Sequence, residues 1–140
     1  MRLMLVIVAM LIGPLATGSA AEQNRSPAAF PKTMRVHVVH DGEDQLGVQL
    51  AYAVRERLRA SIGLPLEVEA RKSNLTVSIV SIESSCNSGG RRSSAAVSLE
   101  TSSTHLLMGL WIVQVADGQA DSVSAYIVTH VDKAVQDAIK

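Results

Sequence analysis

The chain has 140 residues, enough for a single domain at about 100–200 residues per domain. Its 47% apolar and 19% charged residues exclude a disordered chain, and 13 basic against 13 acidic residues leave no bulk field to draw nucleic acid or anionic lipid. Aromatics at 3% offer few platforms for stacking bases or sugars, and a single cysteine, Cys86, excludes an internal disulfide framework and a cysteine-based zinc site.

Residues 1–21 read as an export signal. Arg2 supplies the positive start, Leu3 to Ile12 run apolar without a break, Gly13 and Pro14 interrupt the helix, and Ser19-Ala20-Ala21 places small side chains at a cleavage point. The apolar run falls short of the ~20 residues that span a bilayer comfortably. No cysteine stands at the cleavage point, so lipidation there is not expected. The expected location is therefore periplasmic or secreted, with no stable membrane insertion after cleavage.

Residues 22–33 mix polar side chains with Pro27 and Pro31 and show no period, as a flexible leader does. Residues 34–140 form the domain. Met34 to His40 alternate, with Val36, Val38 and His40 on one face and Arg35, His37 and Val39 on the other. Asp41-Gly42-Glu43-Asp44 turns the chain into a helix with an acidic start. Gly47, Leu50, Ala51, Val54 and Leu58 make its apolar stripe. Gly47 lies on that stripe, where a missing side chain lets a sheet approach, and Gly63 fits a C-cap.

From Leu64 the period changes to two. Leu66, Val68 and Ala70 predict a second strand, and Leu75, Val77 and Ile79 a third. A loop is expected over Ser84–Ser93, carrying Cys86, Gly89-Gly90 and Arg91-Arg92. Ala95, Val97 and Leu99 predict the fourth strand. Leu106 to Val115 is apolar on both faces, as a central or doubly covered strand would be. Asp117-Gly118 ends it, and Ala120, Val123, Ile127, Val131, Ala134 and Ala138 form the stripe of a final helix. The order is β-α-β-β-β-β-α. A right-handed crossover makes the first two strands parallel, and the expected fold is a two-layer α/β sandwich, a mixed sheet with two helices on one face.

The chain has no Gly-x-Ser-x-Gly elbow, His-Glu-x-x-His, P-loop or Gly-x-Gly-x-x-Gly. No catalytic residue, metal ligand or cofactor is assigned. The nearest approach to a chemical cluster is His37, His40 and Asp41, which would serve a small metal-dependent hydrolase. Residues three apart on a strand point to opposite faces, however, so the two imidazoles need a bulge to share an ion. Arg55, Arg57 and Arg59 are diluted by Glu56 and read as a soluble helix face rather than a phosphate patch, and Glu67 with Glu69 as a solvated strand face. Eleven serines between Ser73 and Thr104 would keep the sheet soluble without charge.

The main candidate surface is the row Leu107, Gly109, Trp111 and Val113. With both helices on the other face of the sheet, this row either stays partly uncovered and meets a partner or is covered by the leader or the Cys86 loop folding over it. A second candidate is the Cys86, Arg91 and Arg92 loop, acting as the plug of an inhibitor or immunity protein. The expected partner is another envelope or exported protein, with a homodimer as an alternative.

Asp44-x-x-Gly47-x-x-Leu50-x-x-x-Val54-Arg55-x-x-Leu58-x-x-Ser61-x-Gly63-x-x-Leu66 resembles the strand-helix-strand opening of small exported bacterial α/β proteins. The element order is similar to that of the N-terminal domain of the Tol translocation protein and of the lipopolysaccharide-assembly lipoprotein. The resemblance covers about 25 residues and implies a non-catalytic envelope module that works through contacts; no functional residue carries over.

Overall fold

A computed structural model describes residues 33–85 and 90–140. The expected export segment, the leader except Thr33, and Cys86 lie outside the described residues. The elements are β1 (Val36–Asp41), α1 (Gln45–Arg59), β2 (Leu75–Ser85), β3 (Arg91–Thr101), β4 (Leu107–Ala116) and α2 (Ala120–Ile139). They form one mixed sheet in the spatial order β1-β2-β3-β4. β1 and β2 are parallel, joined across α1, and the remaining pairs are antiparallel. Both helices pack on one face, giving the expected two-layer sandwich.

The core lies between the layers. Val36 and Val38 of β1, Leu75, Val77 and Ile79 of β2, and Ala95, Val97 and Leu99 of β3 meet Leu46, Leu50, Val54 and Leu58 of α1. Ile127, Val131 and Val135 of α2 complete it, and Ala138 of the expected stripe is exposed. The α1 stripe lies where the period places it. Arg57 joins the helices: its Nε donates to the buried Ser124 Oγ at 2.8 Å and its Nη2 pairs with Asp121 at 2.8 Å.

Three expectations change at element level. The strand over Leu66–Ala70 is reduced to a single parallel bridge, Val36 to Leu66, followed by a 3₁₀ turn at Ala70–Lys72. Pro65 supplies only a carbonyl, and Glu67 folds back to accept from the Glu69 N–H at 3.1 Å, which bends the chain away after one pair. Within the expected Ser84–Ser93 loop the described residues other than Gly90 are strand, because β2 and β3 stay in register out to Ser85 and Arg91. Helix α1 is capped at Ala60, so Gly63 belongs to the turn beyond it.

Candidate protein-binding edge

The two edges of the sheet are finished differently. Along β1, the chain after α1 occupies the outer backbone groups: Met34 N–H donates to Gly63 O at 3.2 Å, Val36 N–H to Pro65 O at 3.0 Å, and Glu67 N–H to Val36 O at 2.8 Å. One step further on, the Arg55 guanidinium donates to Val38 O at 3.1 Å, and the His37 ring is 3.0 Å from Glu67 O. β4, expected to be central or doubly covered, is instead the other edge: among the described residues no strand follows it. This edge is ten residues long, Leu-Met-Gly-Leu-Trp-Ile-Val-Gln-Val-Ala, with neither charge nor proline. Those are the usual means by which proteins blunt an exposed edge.

A bulge decides which β4 side chains face where. Leu99 pairs with Gly109, but Glu100 pairs with Leu107, so Met108 is the extra residue. Beyond the bulge, Gly109, Trp111, Val113 and Val115 lie opposite Leu99, Val97, Ala95 and Ser93, on the face that carries the helices. Leu110 and Ile112 lie opposite Ser98 and Ala96 on the bare face and are 61% and 80% exposed. The expected recognition row is therefore split. Leu107 is on the bare face, while Gly109, Trp111 and Val113 lie under α2, with Val113 only 8% exposed.

Trp111 is half-buried rather than displayed. Its ring folds back over Gly109, where an added Cβ would stand 2.5 Å from the indole, and it meets His130 of α2 edge-on at a centroid distance of 6.1 Å. Tyr126 lies over His130 at 3.9 Å. Between β4 and α2 runs an open groove of about 320 Å³ lined by Ile112, Val113, Gln114, Ser122, Val123 and Tyr126. A groove of mixed lining with one aromatic wall thus runs beside strand backbone that no other strand pairs among the described residues. Strand addition uses this geometry: main-chain hydrogen bonds give affinity and side pockets read alternate residues.

The remaining candidates do not converge on this edge. Arg91 is a strand residue whose Nη1 donates to Gln45 Oε1 at 3.0 Å, with Glu83 and Asp117 near its Nε. Arg92 is exposed on the bare face, opposite Ala116. The plug reading placed both in a loop, and they are instead held at the end of the β2–β3 hairpin. His37 and His40 point to opposite faces of β1, as the alternation requires. Among the described residues no group of three His, Cys, Asp or Glu is placed to hold a metal ion.

One polar array escaped the sequence reading. His40 Nε2 lies 2.8 Å from Ser81 Oγ, and Ser81 donates to Asp44 Oδ1 at 2.5 Å, while Asp44 Oδ2 accepts from Gly47 N–H at 2.7 Å. The residue types are those of a hydrolytic triad, but the order is not. The serine sits between the imidazole and the carboxylate, and its proton goes to the carboxylate, so no base draws on the hydroxyl. The array caps α1 and ties it to β2. Gly47 permits this approach: a Cβ there would lie 1.9 Å from Ser81 Oγ. Burial pushes the Asp44 carboxyl up, and hydrogen bonds from Ser81, Ser93 and the Gly47 N–H together outweigh it, holding the group below its ordinary value.

No protein-family model and no curated protein matches this chain. Solved structures do. Protein XCC0632 from Xanthomonas campestris, a DUF330 protein, superposes with a TM-score of 0.60 at 12% identity, over 80% of this chain and 91% of that one. TolB from Acinetobacter baumannii gives 0.56 at 8% identity over 75% of this chain, which spans only 29% of TolB. Lipoprotein GNA1162 from Neisseria meningitidis is looser, with a TM-score of 0.44 at 11% identity over 74% of this chain and 99% of that one. The first two define the class: a small two-layer α/β module found in bacterial proteins, including one part of TolB. The Tol resemblance read from the sequence holds at the level of fold.

Proposed function

We propose that this is an exported, non-catalytic module of the bacterial envelope that binds another exported protein by strand addition at β4. The observation that carries the reading is the asymmetry of the sheet. β1 is sheathed at Met34, Val36 and Val38, whereas β4 presents ten uncharged residues beside an uncharged groove. The fold shared with TolB and the apolar run at Leu3–Ile12 support an envelope location. Among the described residues no helix is long and apolar enough to cross a membrane. The partner's contacting segment would be extended and would present alternate apolar residues to Leu110 and Ile112 on one side and to the Tyr126 groove on the other. A charge in either position would be desolvated without a counterion.

The test is site-specific photo-crosslinking in intact exporting cells, with the probe at Leu110 or, as a control, at the outward-facing Tyr52 of α1. A discrete adduct with a different protein from the Leu110 probe alone, lost when Ile112→Lys is added, is the expected result. Equal adducts from both positions, or an adduct indifferent to Ile112→Lys, would overturn strand addition at β4. Retention of the chain in the cytoplasm would overturn the envelope assignment.

A further inference from the structure

The β4 edge has an occupant available at all times in the chain itself. Resting on the strand-addition reading, we propose that in the absence of another partner β4 pairs antiparallel with β4 of a second copy, about a two-fold axis, to give a continuous eight-stranded sheet. Envelope partners would then compete with dimerisation for the same edge.

Four observations support a second copy. First, a charge-free strand places no like charge opposite itself under two-fold symmetry, which is the commonest obstacle to self-pairing of an edge. Second, the side chains match. An axis at Trp111 sets Leu110 of one copy against Ile112 of the other, twice, on the bare face, joining four exposed aliphatic side chains into one patch. On the helix face it sets Trp111 against Trp111 and Gly109 against Val113, and because each indole is folded back along the strand over its own Gly109, the two rings run in opposite directions from the axis.

Third, the assembly closes. The outer edge of β1 is occupied by the Gly63–Glu67 segment and Arg55, so a β4-to-β1 contact that would propagate into a fibre is blocked, and β4-to-β4 uses each open edge once. Fourth, the size is adequate. A ten-residue strand is roughly 33 Å long, and with two layers each about 10 Å deep the flank presents roughly 660 Å² per copy. That is close to the ~800 Å² per partner of a stable interface. Tyr126 and the groove beside β4 fall within this flank.

The test is sedimentation equilibrium of the full chain purified from an exporting host, over about a hundredfold range of concentration near the micromolar. Hydrogen exchange of the β4 amides and far-UV circular dichroism accompany it. The expected result is a monomer–dimer equilibrium with slowed exchange along β4, weakened at least tenfold by Ile112→Lys and by Leu110→Lys while the dichroism is unchanged. Both side chains are exposed in the monomer, so neither substitution opens the core. A chain that stays monomeric throughout overturns self-pairing. If its β4 amides then exchange freely, the edge is open and strand addition stands; if they are slow, another segment of the chain covers it and both readings fall. A dimer indifferent to both lysines is built on another face, and this also overturns the proposal.

Discussion

At the residue scale, Ser81 holds Asp44 and His40 together against two glycines. An added Cβ at Gly42 or Gly47 would reach its hydroxyl at 2.5 or 1.9 Å, so neither position has room for a side chain. Removing the hydroxyl leaves a buried carboxylate short of a donor, which costs about 1–3 kcal/mol. Ser81→Ala is therefore expected to lower the free energy of unfolding, measured by urea denaturation at neutral pH, by that amount, without altering the fold. The pH dependence follows from the same contacts. The Asp44 carboxyl titrates below its ordinary value of 3.8 in the folded chain, so its contribution is fully present above that value. It is lost as the pH falls through the lowered one. Denaturation followed from pH 7 to pH 2 should show this loss in the native chain. Asp44→Asn should remove that part of the acid dependence, and a variant with an unchanged acid profile would show that the carboxylate is not held by the array.

At the scale of elements, β4 separates two substitutions that its sequence would treat alike. Trp111 packs between Gly109 and His130, and its truncation in Trp111→Ser is expected to destabilise the domain by about 2–4 kcal/mol. Ile112 is the next residue on the same strand and 80% exposed; Ile112→Lys should stay within about 0.5 kcal/mol of the native chain. Thermal denaturation of the two variants checks this, and equal losses would mean that the two rows of β4 are not distinguished by burial. The example also marks what the sequence could and could not convey. The period of α1 and the close approach at Gly47 were legible because each rests on local spacing. The parallel crossover was expected between β1 and Leu66–Ala70, where it survives as one bridge, while the full parallel partner of β1 is β2. The facing of β4 was not legible, because both its rows are apolar and a single bulge at Met108 shifts the parity of Leu107 against Trp111. The lengths of β2 and β3 were hidden for a related reason. Their ends carry Ser84, Ser85, Arg91 and Arg92, which read as loop until paired across the hairpin. The Asp44–Ser81–His40 array joins residues 37 and 41 apart and left no local signal.

At the scale of the whole molecule, the design problem is a sheet with two ends and, among the described residues, two α-helices. The helices cover one face, and the chain between α1 and β2 is spent on one edge, where a fifth strand is cut to a single bridge at Leu66. That short piece suffices because β1 has only six residues and Arg55 covers the next carbonyl. The other edge carries no such cover among the described residues. If this division is what keeps the protein from polymerising, weakening the β1 sheath should convert a closing contact into an open-ended one. Arg55→Ala frees Val38 O while leaving the core intact, since its guanidinium contact is to backbone at the rim. The expected outcome is concentration-dependent light scattering and higher-order species in sedimentation velocity, suppressed when Ile112→Lys is combined with it. The pairing of the two substitutions makes the inference sharp. Assembly that persists in the double variant does not run through β4, whereas assembly that vanishes requires both edges at once, as a β4-to-β1 contact between copies would.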